Sequence, residues 1–274
     1  MDAHGKDIAD VSRGHPERFV PHLMAGRFID AEHRARYWWA TALVSGKKVL
    51  DAACGTGYGT NILAGAGAES VVGIDRAEHV VEFANKQAHS SATFRVADLL
   101  DLPFSENTFD VATCFEAIEH VATPEIALDE LSRVLERNGV LAISSPNRGV
   151  YLGGNPHHHH EFTSDELGSA LRDRFKHVRV LRQHRWFATA ILEDEAFESG
   201  DGHPLQGADV HKVSPDEIGR ETYVLALASN APLPEPTAQV ALSDDRDLWG
   251  WCYTRVRGRL HELMHNEKRR RVRS

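Results

Sequence analysis

Two clusters in the sequence carry side chains whose types and spacing could do chemistry. In "CFEAIEHV" (114–121), Glu116, Glu119 and His120 stand at i, i+3 and i+4. A helical turn over 116–120 would therefore set two carboxylates and an imidazole on one face. Such a trio suits a divalent ion, and it equally suits proton transfer or substrate contact without one. Further on, "NPHHHHEF" (155–162) places His157, His158, His159 and His160 in a row. Consecutive imidazoles can form a metal site, a proton relay or a solvated loop. An interior run is not a terminal purification tag.

A third group is spread along the chain. "VLDAACGTGYGT" (49–60) reads as strand, glycine loop and helix, with Asp51 just before Gly55 and Gly57. Asp75 ends "SVVGID" (70–75) and Asp98 ends "ATFRVAD" (92–98). Acids at the carboxyl ends of three successive parallel strands converge on the ligand crevice of an open sheet. An acid at the mouth of a glycine loop repels a pyrophosphate, so the ligand expected here carries positive charge.

The elements that must position these groups follow a regular alternation. "DAEHRARYWWATALV" (30–44) reads as a helix with Asp30 as its N-cap, and the first strand opens at 48. Helices over "TNILAGAG" and "AEHVVEFANKQA" separate the first three strands, and "FDVATCFEAI" (109–118) is the fourth. Thr123-Pro124 starts the helix "PEIALDELSRVLER", Asn138-Gly139 stops it, and "VLAISSPN" is the fifth strand. "TSDE" (163–166) is a capping box opening another helix. "HVRVLRQHRWF" and "TYVLALASN" are two late strands. The fold class expected is α/β: a seven-stranded, mostly parallel Rossmann-like sheet with helices on both faces. Extra N- and C-terminal helices flank it, and a long insertion separates the last two strands. The domain reading is an N-terminal helical cover (1–47), a main domain (48–230) holding a substrate-covering insertion (188–221), and a C-terminal linker, amphipathic helix and basic tail (231–274).

Together "VLDAACGTGYGT", "GID", "VADLLDLPF", "FDVATCFEAIEHV" and "LDELSRVLERNGVLAISSPN" resemble class I S-adenosylmethionine-dependent methyltransferases over about residues 48–147. That cofactor has a sulfonium and an ammonium group and no phosphate, as the acids require. The resemblance implies that Asp51, Ala53, Gly55, Gly57, Asp75, Arg76, Asp98, Leu99 and Phe115 hold it. Asp75 would accept from the ribose hydroxyls, and Asp98 would lie near the adenine amino group. The flanks "ERFVP…EHRARYWWA" and "SSPN…NPHHHHEFTSDEL" resemble bacterial methyltransferases of sugar, glycan and antibiotic biosynthesis. In that subgroup the terminal helices cover cofactor and substrate, which brings in Arg18, Phe19 and Tyr37. "E-x-x-E-H" also resembles plant small-RNA 2′-O-methyltransferases and ubiquinone-pathway O-methyltransferases. There a later histidine before an aromatic adds a metal ligand, a place that His158, four before Phe162, fits best. Three readings of Glu116, Glu119, His120 and His158 stay open: a site for Mg or a similar divalent ion, catalytic or substrate contact without metal, or a purely structural role.

Composition narrows the partners. The formal net charge is -9, which argues against nucleic acid, and no apolar run is long enough to span a bilayer. Cys54, Cys114 and Cys252 are odd in number and far apart, as in a reducing cytoplasm, and the first residues lack a secretory signal. The expected reaction is O- or N-methylation of a small molecule: a sugar, aminosugar or glycosylated natural product. The acidic insertion (Glu193, Asp194, Glu195, Glu198, Asp201, Asp209, Asp216, Glu217) suits a cationic acceptor. The apolar face of the C-terminal helix, from Trp249 to Met264, suits docking on its own domain or a homodimer contact. The competing readings are RNA 2′-O-methylation, suggested by "EAIEH" and the basic tail, and a non-catalytic S-adenosylmethionine-binding subunit.

Overall fold

A computed structural model describes residues 19–150, 155–185, 221–235 and 238–243. Seven described strands make up the sheet. The chain divides into two compact units, one of residues up to Asp98 and from Glu235 onward, the other Leu99–Pro234.

In the first unit β1 (Lys48–Ala52), β2 (Ser70–Asp75) and β3 (Ala92–Val96) pair in parallel. The strand β1 is buried after Lys48, and β2 is buried or half-buried throughout, as a sheet covered on both faces demands. Before them lie the short helix α1 (Pro21–Met24) and α2 (Phe28–Ala40), which a 3-10 turn (Thr41–Leu43) ends. Asp30 is not the cap of α2: Arg27 is. Instead Asp30 sits in the first turn and accepts from the Gly26 amide and from Arg34 Nε, where an acid meets the helix dipole favourably. The helices α3 (Tyr58–Gly65) and α4 (Glu78–Asn85) make the crossovers. Gly57 precedes α3 at φ 80°, and a Cβ there would lie 2.6 Å from the Phe94 ring. Only glycine meets both demands.

In the second unit β4 (Phe109–Cys114) pairs in parallel with β5 (Leu135–Pro146). The strand β7 (Tyr223–Ser229) runs antiparallel between β5 and β6 (His177–Gln183). The helix α5 (Pro124–Val134) has its proline in the first turn, and α6 (Ser164–Arg172) carries the full capping box of Thr163 and Glu166. Two boundaries differ from the sequence reading. The helix α5 stops at Val134 and Leu135 opens β5, because Leu135 pairs with Phe109 in the sheet. The strand β4 ends at Cys114, well before Ile118. Glu221, at the near end of the expected insertion, is fully buried and accepts from Ser164 Oγ, while its carbonyl accepts from Asn147 Nδ2. The rest of that insertion (188–220), Arg18, Cys252 and the C-terminal helix and tail lie outside the described residues.

The loop leading to β4 is pinned by one side chain. Arg133 donates to both carboxylate oxygens of Glu130 and to the carbonyls of Leu102 and Phe104, and the Leu102 amide donates to Glu130. The Arg133 hydrogen bonds hold the Glu130 carboxyl below its usual 4.5. A depressed carboxylate stabilises the fold above the unfolded value, and this contribution is lost as pH falls through the folded value. Arg133→Leu should therefore cost on the order of 1 kcal/mol near neutral pH. In thermal melts the gap from the parent protein should narrow as pH falls below 4.5, leaving the part that the two carbonyl bonds supply.

Candidate functional site

In the first unit the predicted cofactor acids are held by the loop that they serve. Asp51 is fully buried, and both its oxygens accept hydroxyls: Tyr37 Oη at 3.1 Å and Thr60 Oγ1 at 2.6 Å. Burial and then the Asp51 charge push the Tyr37 phenol well above its usual pKa, so it stays a donor. The Tyr37 ring lies over Gly59, where a Cβ would come within 2.0 Å of it. Tyr37 also meets Tyr58 edge-on at 5.2 Å, and Tyr58 Oη bonds His33 Nδ1 at 3.1 Å. Phe19 stacks on His33 at 4.3 Å. Burial and the neighbouring Arg36 hold His33 well below its usual pKa, so the imidazole is neutral.

Asp75 accepts the Gly55 amide on one oxygen (3.1 Å) and the Ala77 amide on the other (2.9 Å). A carboxylate oxygen accepts more than one hydrogen bond, so this geometry leaves capacity for a diol. The turn itself is left-handed at Ala53, Gly55 and Gly57, with φ of 60°, 54° and 80°. Between them Thr56 is buried and its hydroxyl has no hydrogen-bond partner among the described residues. A buried hydroxyl of this kind calls for a partner, a ligand atom or a bound water. Arg76 and Asp98 are exposed, and Asp98 stands two residues beyond the end of β3.

In the second unit Leu99 and Phe115 are buried. Glu116 adopts φ 51°, and the turn that follows is a 3-10 helix over Ile118–His120. The expected face of Glu116, Glu119 and His120 therefore does not form. Glu116 instead bonds Ser144: Oγ donates to its carboxylate at 2.7 Å and accepts its amide at 3.0 Å. Glu119, His120 and His158 do come together, with one ligand atom of each within 4.8 Å of the others. Glu119 is buried at 1% exposure, and His120 Nε2 lies 4.0 Å from its Oε1. The two imidazoles meet edge-on at 4.8 Å.

The histidine run is sewn to this turn by its backbone. The amides of His159 and His160 donate to the Glu119 carbonyl at 2.7 and 3.3 Å. His120 Nδ1 donates to the His157 carbonyl at 3.1 Å. A carbonyl only accepts, so Nδ1 bears a proton, and in the neutral ring Nε2 then carries the lone pair. His158 is engaged on both sides: Nδ1 donates to Glu161 at 2.6 Å, and Nε2 accepts from Asn155 Nδ2 at 2.9 Å. Sequence reasoning missed Asn155, Glu161, Ser144 and Thr60. Asn155 and Glu161, each three residues from His158, carry a spacing that could have pointed to their partner.

Comparison with known proteins gives the family and the fold. The family model described as a methyltransferase domain matches residues 43–212. A probable S-adenosylmethionine-dependent methyltransferase of Mycobacterium tuberculosis is 32% identical over 162 residues, 57% of this chain and 58% of that protein. The chain thus spans under two thirds of that relative. A ubiquinone biosynthesis O-methyltransferase of Idiomarina loihiensis is 30% identical over 190 residues, 66% of this chain and 74% of that protein. An S-adenosylmethionine-dependent methyltransferase structure from Mesorhizobium loti shares the fold at TM-score 0.53 and 18% identity, over 72% of this chain and 97% of that one.

Proposed function

Because the chain belongs to the methyltransferase family, we propose that it methylates a hydroxyl oxygen of a small organic molecule of the sugar, aminosugar or glycoside class. S-adenosylmethionine supplies a methyl group already activated on a sulfonium. The glycine turn with its buried Thr56 hydroxyl fits that cofactor, with Asp75 as the acceptor for its ribose diol. A hydroxyl acceptor must also lose a proton, and the carrying observation is the state of His120. Its Nδ1 proton is committed to the His157 carbonyl, which leaves Nε2 as the base, 4.0 Å from a buried carboxylate that stabilises the protonated ring.

Glu119, His120 and His158 also fit a divalent ion as a donor set. With Glu116 turned to Ser144 the set is two nitrogens and one carboxylate. That suits Zn or Mn better than Mg, which prefers oxygen ligands. The ion would act as a Lewis acid on the acceptor oxygen, and His158 would have to release Asn155 to join it. The basis for the sugar class is the resemblance of the flanks. The acidic residues 193–217 that favour a cationic acceptor lie outside the described residues.

The test is methyl transfer from labelled S-adenosylmethionine to a neutral glycoside, an aminosugar glycoside and a short RNA. Label should enter the glycosides and favour the aminosugar. Label entering RNA alone, with a steep salt dependence, would overturn the reading in favour of RNA methylation. EDTA that abolishes turnover, with recovery on adding Mn or Zn, would select the metal reading over the metal-free base.

A further inference from the structure

The four histidines do not act alike, and their loop has more internal order than a solvated connection needs. Asn155 forms three bonds that shape it. Its carbonyl accepts the His158 amide at 3.0 Å, its Oδ1 accepts the His157 amide at 3.0 Å, and its Nδ2 donates to His158 Nε2 at 2.9 Å. The far side of the His158 ring is held by Glu161 at 2.6 Å. The side chains of His158 and Glu161 are 9% and 12% exposed, so this carboxylate–imidazole pair is largely out of water. Removal from water strengthens such a hydrogen bond.

The clasp bears on His120 through the backbone. It fixes the peptide of His157, whose carbonyl receives His120 Nδ1 at 3.1 Å. A ring that loses this carbonyl is free to carry its proton on Nε2, and its lone pair then sits on Nδ1 and no longer on Nε2. The amides of His159 and His160 on the Glu119 carbonyl anchor the other end of the loop to the same turn. We propose that Asn155 and Glu161 are positioning residues for His120. They act through the His158 ring and the His157 carbonyl to select the His120 tautomer whose Nε2 bears the lone pair. This rests on the reading of His120 as the proton acceptor for a hydroxyl.

The experiment uses metal-free full-length protein with 15N-labelled histidine rings, the His120 signals being assigned by their loss in His120→Ala. In the parent protein His120 should be a single Nδ1–H tautomer. In Asn155→Ala and in Glu161→Ala its two ring nitrogens should shift toward an averaged pattern. In both variants kcat should fall about 10- to 100-fold, the range typical for partners behind a working group, with S-adenosylmethionine affinity unchanged within about twofold. Glu161→Gln keeps an acceptor for Nδ1 and should restore the His120 tautomer, which separates positioning from folding. Adding Glu161→Ala to His120→Ala should lower kcat no further. An unchanged His120 tautomer in both alanine variants would overturn the proposal, as would a full additional loss in the double variant. Activity surviving in His120→Ala would instead sink the base reading, and the tautomer measurement would still decide whether the clasp sets the ring.

Discussion

His120→Ala is expected to lower kcat by about 10²- to 10⁴-fold, the usual contribution of a positioned general base. The affinity for S-adenosylmethionine should stay close to that of the parent protein, because the cofactor residues argued above are on other elements: Asp75 ends β2 and Thr56 lies in the glycine turn. The side chain of His120 is 36% exposed and its backbone amide bonds Ala117, so removing the imidazole leaves the local turn intact. Glu119→Gln should have a smaller effect, since the neutral amide fills the same buried space but no longer stabilises a protonated ring. A loss confined to affinity for the cofactor would contradict this division. Kinetics that separate kcat from KM, beside calorimetric titration with S-adenosylmethionine, distinguish the two outcomes.

Asp51→Ala should produce the largest loss of stability, about 2–4 kcal/mol. A buried acceptor removed from two hydroxyl donors leaves both unsatisfied, at roughly 1–3 kcal/mol each. Those donors belong to α2 and α3, so the change also releases the Tyr37 ring from Gly59 and loosens the glycine turn. S-adenosylmethionine affinity should fall in parallel. Asp51→Asn should retain much of the stability, since its amide oxygen can still accept one of the two hydroxyls. Chemical denaturation of the three proteins, with and without cofactor, checks the order. If Asp51→Ala unfolds like the parent protein, the Tyr37–Asp51–Thr60 link carries no stability.

The alternation of strands and helices over 48–147 was legible because each apolar run is the length of one buried element and ends at a turn residue. The Thr163 capping box and Pro124 were legible for the same local reason. The start of β5 was not, because Leu135-Glu136-Arg137 continues the helical pattern of α5 as readily as it opens a strand, and the pairing of Leu135 with Phe109 that decides it is long-range. The role of Glu116 was hidden by its backbone. A positive φ at a non-glycine residue breaks the i, i+3, i+4 rule on which the one-face reading depended. The place of Asp51 at the end of a strand before the glycines was legible. That both its oxygens hold hydroxyls was not, since Tyr37 reaches it from a helix 14 residues earlier. The histidine run pointed to His158, which lies beside Glu119 and His120, but could not show that the His157 carbonyl accepts from His120.

The most direct measurement is a single-turnover reaction with 13C-methyl S-adenosylmethionine and a glycoside carrying both free hydroxyls and an amine, run on the parent protein and on His120→Ala. The account predicts a new O-methyl resonance with the parent protein and almost none with the variant, although the variant binds the cofactor equally well. Methyl appearing on the nitrogen, or on oxygen at the parent rate in His120→Ala, would contradict it.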